Sequence, residues 1–330
     1  MTRKPLRYLL TGATGFVGGN LTRMILARGD AITALARPSA RAHALRELGV
    51  EVVHGDLASG RGVREAVHGA DRVIHLAAVV KARTPAEYWA TNRDGTAHLA
   101  GALAVLPNPP RLVLCSSLAA AGPSSGTPVP VSHYGASKLA GEKVVRGLAH
   151  RVPSVILRPG IVYGPGEPAL VPALLPMIRL GVALKAGLGP RRYCMVYVDD
   201  LCTTLLAAAE RGRTLHPDDP TAGLYPISDG ITYHWRDICA ALARAAGRRA
   251  PVVLPVPMLL MDVAASLAEC AGRIRRTAPS LNRDKVREMR CAAWTCTPER
   301  AVRELGFTPT TSLDRGLAAA LAAGSRHPSV

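Results

Sequence analysis

Short apolar runs and longer segments of helical period alternate through the first half of the chain. LRYLLT is followed by helical periodicity to Arg28, AITALAR by a second such stretch from about Arg41 to Leu48, and VEVVHGDL comes next. The pattern continues through DRVIHLAA, a helical stretch from about Pro85 to Leu106, RLVLCSS, a helix carrying Tyr134, and SVILRPG. Strands separated by helices are too far apart in sequence to be hairpins, and runs this uniformly apolar need cover on both faces. The expected fold is α/β: a doubly wound parallel sheet with helices on either side.

After Gly160 the pattern gives way to proline-rich segments such as GPGEPALVPALLP, with mixed strands and shorter helices. A length of 330 residues accommodates one large α/β unit with an attached lobe. Residues 1–160, with returning segments near 190–210, are expected to form the sheet domain, and 161–330 most of a smaller substrate-binding lobe.

The first strand runs into LLTGATGFVGGNL, which opens the first helix. Gly12, Gly15 and Gly18, with Thr14, Phe16 and Val17 between and beside them, would let backbone N–H groups and the helix dipole approach a pyrophosphate. A turn of this kind in this position is expected to bind a dinucleotide. At the end of the second strand, where an acid commonly meets the ribose 2′-hydroxyl of NAD, the chain reads ALARPSAR. Arg37 there can pair with a 2′-phosphate, which makes NADP the expected cofactor and NAD the second choice; Arg41 is a weaker candidate. Asp56 and Leu57 in HGDL follow the third strand and are placed near adenine. Ala77 and Ala78, after the fourth, have side chains small enough to let backbone lie against a cofactor.

Tyr134 and Lys138 are four positions apart in SHYGASKLAGE, so both project from one helix face. A free tyrosine titrates near pKa ~10, too high for easy proton exchange at neutral pH. A unit positive charge about 4 Å away, at an effective dielectric of about 20, favours phenolate by roughly 4 kcal/mol, an upper bound of about three pKa units. A lysine neighbour, aided by an oxidised nicotinamide, is therefore enough for acid–base work at a carbonyl without a metal. Ser116 and Ser117 end the fifth strand, on the carboxyl edge where ligands of such sheets bind.

This ordered set, TGATGFVG, GDL, HLAA, Asn92 in ATNRDGT, CSS, YGASK, LRPGIVYGPG and YVDD, resembles the extended short-chain dehydrogenase/reductase family, most strongly from Leu9 to Asp200. The resemblance implies Gly12, Gly15 and Gly18 at the pyrophosphate, Asp56 at adenine, and Asn92 as the structural asparagine of the central helix, counted with the cofactor-binding set. It implies Ser117 as catalytic serine by counting back from Gly122, and Tyr134 as catalytic tyrosine. Lys138 is implied as its lysine, which also holds the nicotinamide ribose. Pro159, Gly160, Ile161 and Val162, on to Tyr163, would line the nicotinamide. A homodimer formed through the long central helices is likewise implied.

Dehydratases of the family have an Asp and a Glu after the catalytic hydroxyl residue, where this chain has Leu118 and Ala119, so water loss is not expected. The C-terminal half resembles the lobes of 3β-hydroxysteroid dehydrogenase-like and dihydroflavonol reductase-like relatives. That implies a ketone or secondary alcohol on a fairly apolar small molecule. Arg191, Arg192 and Tyr193 could instead grip a diphosphate, which keeps a nucleotide-sugar epimerase with retained NAD as an alternative. A non-catalytic dinucleotide-binding regulator is a third reading, of a different class.

The net charge of +17 invites a nucleic-acid reading, but the arginines are scattered and only 4% of residues are aromatic, so no nucleic-acid partner is expected. Seven cysteines with no CxxC pair point to a reducing cytoplasm and no metal. The basic leader runs directly into the glycine turn, leaving no room for an export signal. PVVLPVPMLLMDVAASLAECAG is the most apolar stretch, but Asp262, Glu269 and three prolines break it. It is not expected to span a membrane; a helix covering the substrate is the expected reading, with an interfacial membrane helix as the alternative.

Overall fold

Period-two burial organises the large sheet. In the computed structural model, which describes residues 4–324, β1 (Arg7–Thr11) sends Tyr8 and Leu10 into one hydrophobic core and Leu9 into another. β4 (Arg72–His75) divides Ile74 from Val73 in the same way, and β5 (Arg111–Cys115) divides Val113 from Leu112 and Leu114. A strand buried on both faces contributes about 1.5–3 kcal/mol for each large aliphatic side chain, which is why these runs are uninterrupted by polar residues.

With β2 (Ala31–Ala36), β3 (Glu51–His54), β6 (Ser154–Pro159) and a distant strand at Leu224–Ile227, these form a seven-stranded parallel sheet. In spatial order it runs 3-2-1-4-5-6, then the distant strand. The order reverses between β1 and β4, and the carboxyl ends on either side of that point open a crevice. α1 (Phe16–Ala27), α2 (Ala40–Glu47), α3 (Val63–Ala66), α4 (Pro85–Trp89), α5 (Thr96–Ala104) and α6 (His133–Gly147) connect the strands. The stretch expected as one helix from Pro85 to Leu106 is α4 and α5 joined by a π-helical turn, Ala90–Gly95.

The lobe begins with β7 (Ile161–Tyr163), α7 (Leu170–Arg179), β8 (Val182–Ala186) and β9 (Arg192–Tyr197). α8 (Val198–Glu210) and β10, the distant strand at Leu224–Ile227, then lie with the large sheet. β11 (Thr232–His234), α9 (Trp235–Ala245), β12 (Val252–Val256), α10 (Met258–Arg275), α11 (Arg283–Arg290), β13 (Ala293–Trp294), α12 (Glu299–Leu305) and α13 (Leu313–Gly324) follow. β9 pairs with β7, β11 and β13, and β8 with β12.

One expectation is overturned here. α10 does not turn its apolar side toward a substrate: Leu259, Leu260, Val263, Leu267 and Ile274 are exposed, and Ala265 and Gly272 are its buried residues. Its polar residues face inward because α11 offers them partners, Arg290 to Asp262 at 2.7 Å and Arg283 to Ser266 at 3.0 Å. No helix among the described residues is long and apolar enough to cross a membrane.

Candidate active site

The glycine turn after β1 is built for close approach. Gly12 has φ +77°, and a Cβ there would stand 2.6 Å from the Ala77 nitrogen at the exit of β4. A Cβ on Gly18 would overlap the Gly12 carbonyl oxygen, which also accepts from Gly15 N–H at 3.0 Å. α1 starts from this turn with no side-chain cap and no acid in its first turn, so its leading N–H groups and positive dipole end are uncompensated. Thr14, Phe16 and Val17 are half-buried around it. These residues fit the pyrophosphate of a dinucleotide.

The other expected contacts sit along the same edge of the sheet. Arg37 is exposed immediately after β2, and Asp56 is half-buried just beyond β3, with its carboxylate accepting from Ala58 N–H at 2.8 Å. Leu57 is buried beside it, and Ala77 and Ala78 are half-exposed at the exit of β4. Gly160, between β6 and β7, approaches Cys194 so closely that a Cβ would lie 2.7 Å from its sulfur. Pro159 is buried, and Ile161 and Val162 are half-buried on either side of that approach.

Asn92 requires a correction as a ligand contact. Its side-chain oxygen accepts from Val79 N–H at 2.8 Å, and its nitrogen donates to Val79 O at 3.0 Å and Ser137 Oγ at 2.9 Å. The amide is spent tying the exit of β4 to α6, so it supports the cleft from behind. Beneath it lies a buried row that the sequence reading did not find. Thr11 Oγ1 is 2.6 Å from His75 Nδ1, His75 Nε2 is 2.9 Å from Thr96 Oγ1, and Thr96 donates to the Asn92 carbonyl at 2.8 Å. Burial, helped by the charge of Lys138, lowers the His75 pKa to about 3.

α6 brings Tyr134 and Lys138 to the crevice. Ser132 caps it by accepting from Gly135 N–H at 2.9 Å, and Gly135 and Gly141 let it lie directly against Ala119 and Asn92. The two serines after β5 have separate fates. Ser116 is buried and donates to Glu142 at 2.6 Å, and Glu142 in turn is held by Arg158 in a buried ion pair with contacts of 2.8 and 2.5 Å. Ser117 is half-exposed, its Oγ accepting from Ala119 N–H at 3.2 Å at the start of the turn that packs on α6, and its hydroxyl lowers the pKa of the Tyr134 phenol.

That lowering is outweighed. Burial, with Glu288, Cys115 and Tyr88 adding to it, holds the Tyr134 phenol above the ordinary tyrosine range. Lys138 Nζ donates to the Cys115 carbonyl at 2.9 Å, and burial pulls its own pKa down. Desolvation is thus the largest influence on the acidity of the phenol in this arrangement.

Two carboxylates from the lobe complete the surroundings of α6. Asp284 accepts from His133 N–H at 2.7 Å and Tyr134 N–H at 3.1 Å, and Glu288 accepts from Ser132 Oγ at 2.8 Å. Only their four-residue spacing on a strongly charged helix marked them in the sequence. Leu118 and Ala119 are buried under Tyr134, consistent with no acid–base role. Of the triplet Arg191–Tyr193, Arg191 is spent on the main chain, donating to Met289 O at 3.0 Å and Pro190 O at 3.1 Å, and Tyr193 packs on Trp235, while Arg192 is exposed.

Comparison with known proteins agrees with this geometry. The NAD dependent epimerase/dehydratase family matches residues 8–222. Ceramide reductase of Caulobacter vibrioides is 33% identical over 289 residues, covering 87% of this chain and 84% of its own. A 4-hydroxy-2-methyl-3-oxo-4-farnesyl-3,4-dihydroquinoline-1-oxide ketoreductase of Stigmatella aurantiaca is 28% identical, covering 97% of both chains. The fold is also that of UDP-glucuronic acid 4-epimerase from Bacillus cereus, solved with UDP-glucuronic acid and NAD, with TM-score 0.74, 21% identity and coverage of 97% and 99%. A non-catalytic regulator is thereby set aside. With the glycine turn, the sheet reversal and Tyr134 on α6 all falling inside the matched span, the protein is an NAD(P)-dependent enzyme that belongs to the NAD-dependent epimerase/dehydratase family.

Proposed function

We propose that the protein reduces a ketone on a largely apolar small molecule to a secondary alcohol, with NADPH as the preferred reductant. The observation that carries this reading is Tyr134 on the helix that packs against the turn capped by Ser117, at the carboxyl edge of the sheet, with burial holding its phenol above the ordinary tyrosine range and so protonated. A protonated phenol is a donor, and donation to a carbonyl oxygen is what reduction needs. Bound NADPH would supply hydride to the carbonyl carbon.

The chain's own part is to position and to move one proton. Ser117 orients the carbonyl oxygen, Tyr134 protonates it as charge develops, and Lys138 supplies the positive charge against which the resulting phenolate is stabilised. Ser116 takes no part, being committed to Glu142. Arg37, exposed just after β2, where a dinucleotide's adenosine ribose is expected, would favour a 2′-phosphate. Support for an apolar ketone comes from the ceramide reductase and the farnesyl-bearing ketoreductase among the relatives.

The test is consumption of reduced nicotinamide across ketones, lactones and nucleotide sugars, with both cofactors. The expected result is one NADPH oxidised per long-chain ketone reduced, and a loss of about 100-fold or more in turnover for Ser117→Ala against a few-fold for Ser116→Ala. Interconversion of nucleotide sugars without net change in nicotinamide absorbance would replace this reading with the epimerase. Tighter binding of NADH than NADPH would remove its cofactor half.

A further inference from the structure

α10 is an amphipathic helix mounted with its apolar side outward. Leu260, Val263, Leu267 and Ile274 fall on one stripe at helical spacing, and they are 57, 51, 66 and 85% exposed. On the opposite side Asp262 and Glu269 meet Arg290 and Arg283 of α11. Burying leucines while exposing acids would be the ordinary arrangement for a surface helix; here the ion pairs hold the opposite one. β12 feeds through Pro257 into this helix, and its pairing with β8 sets the exposed Leu254 beside the exposed Leu184. The apolar surface thus continues from the helix onto the strand pair. Single exposed leucines need no explanation, but a run of this kind on one side of a molecule does.

The charges around the surface decide what covers it. Arg273, Arg275 and Arg276 close the far end of α10, and Arg179, Arg248 and Arg249 lie at the entry to β8 and β12. None of these six has an acidic partner among the described residues, whereas the two acids of α10 are already paired. Two copies meeting through this face would bring unpaired arginines together with no acid to offset them. An anionic surface would do the reverse, taking the leucines into its apolar layer and the arginines at its charged boundary.

We propose that α10 and the adjoining β8–β12 surface dock the protein, peripherally, on an anionic lipid bilayer, with the apolar stripe in the acyl boundary and the flanking arginines at the headgroup phosphates. The helix is 18 residues long and lies in the interface plane without spanning it. A cleft of about 200 Å³ opens beside it, reaching from Arg273 and Glu269 of α10 to Tyr88 and His133, next to Tyr134. The cleft lies on the polar side of α10, opposite the docked stripe, so the docked helix leaves it open.

The test is flotation of the full chain with vesicles of phosphatidylcholine alone and of phosphatidylcholine mixed with phosphatidylglycerol, at low and high salt. Binding to the mixed vesicles is expected, weakened about tenfold or more by the double substitution Arg275→Glu with Arg276→Glu. It should likewise be weakened in a variant carrying Leu260→Ser, Leu267→Ser and Ile274→Ser, and by high salt. Both variants should keep wild-type turnover of a small water-soluble ketone, which shows that they fold. Equal binding of variant and wild type, no binding by wild type, or a concentration-dependent dimer abolished by the leucine substitutions would each overturn the proposal, the last by making a second copy the occupant.

Discussion

Midway along α6, Lys138 and Glu142 are anchored to the parallel sheet, through the Cys115 carbonyl, Ser116 and Arg158. At its start, Ser132, His133 and Tyr134 are anchored to α11, whose Asp284 lies 150 positions beyond Tyr134. The first set of anchors is largely buried and local to the dinucleotide half. The second is a pair of lobe carboxylates placed where a helix N-terminus presents unpaired N–H groups. The tyrosine is therefore positioned by both halves of the molecule, while the lysine one turn later answers only to one.

The sharpest way to break this contrast is at Tyr134 itself. Tyr134→Phe removes the proton donor yet leaves both sets of anchors in place, because Asp284 bonds the backbone N–H of residue 134. Turnover should fall on the order of 1,000-fold with cofactor affinity unchanged, read by steady-state kinetics and calorimetry. Turnover within tenfold of wild type would place the chemistry elsewhere.

The sheet side can be probed by pH. His75 takes up a proton near its ordinary value of 6.5 when unfolded, but only near about 3 in the folded protein. Between those values the unfolded chain binds more protons, so the stability present above pH ~6.5 is lost as the pH falls. Unfolding in urea should show a loss of roughly 2 kcal/mol between pH ~6.5 and ~5 from this group, and His75→Gln should flatten that slope. An identical slope in the variant would mean the ring is not held neutral.

The lobe side should give the smallest effect. Asp284→Ala strips two N–H groups of their acceptor and should cost about 1 kcal/mol of stability. It should also reduce kcat on the order of tenfold with a smaller change in KM, because a displaced phenol weakens proton transfer more than binding. A stability loss with unchanged kcat would show that α11 braces the fold without placing the tyrosine.

Much of the sheet side was legible in the sequence because its anchors are local. Gly12, Gly15 and Gly18 announce a turn in seven residues, and the strand runs of β1, β4, β5 and β6 cannot be anything but doubly buried. Even the glutamate one turn beyond Lys138 shares a face with it. The lobe side was not legible, since nothing in SLNRDKVREM says that Asp284 and Glu288 meet residues 132–134 rather than solvent. β10 was hard for a related reason: it joins the large sheet from a stretch whose composition belongs to the lobe, whereas α8 lies within the returning segments expected near 190–210. The orientation of α10 was misread because periodicity shows that a helix has two faces without showing which one the protein keeps. Only the arginines of α11 decide that.

The buried row beneath Asn92 admits a single pattern of hydrogens. Thr11 Oγ1 accepts from Ala77 N–H, and its own hydrogen goes to His75 Nδ1 because the other nitrogen of the neutral ring carries the imidazole proton. Thr96 spends its hydrogen on the Asn92 carbonyl, so it must receive one from His75 Nε2. The imidazole is thus held in one tautomer, and the row, bounded by a main-chain carbonyl, cannot reverse. Three side chains tie the exit of β4 to the turn that grips α6 in one fixed arrangement, joining the floor of the crevice to the tyrosine's helix.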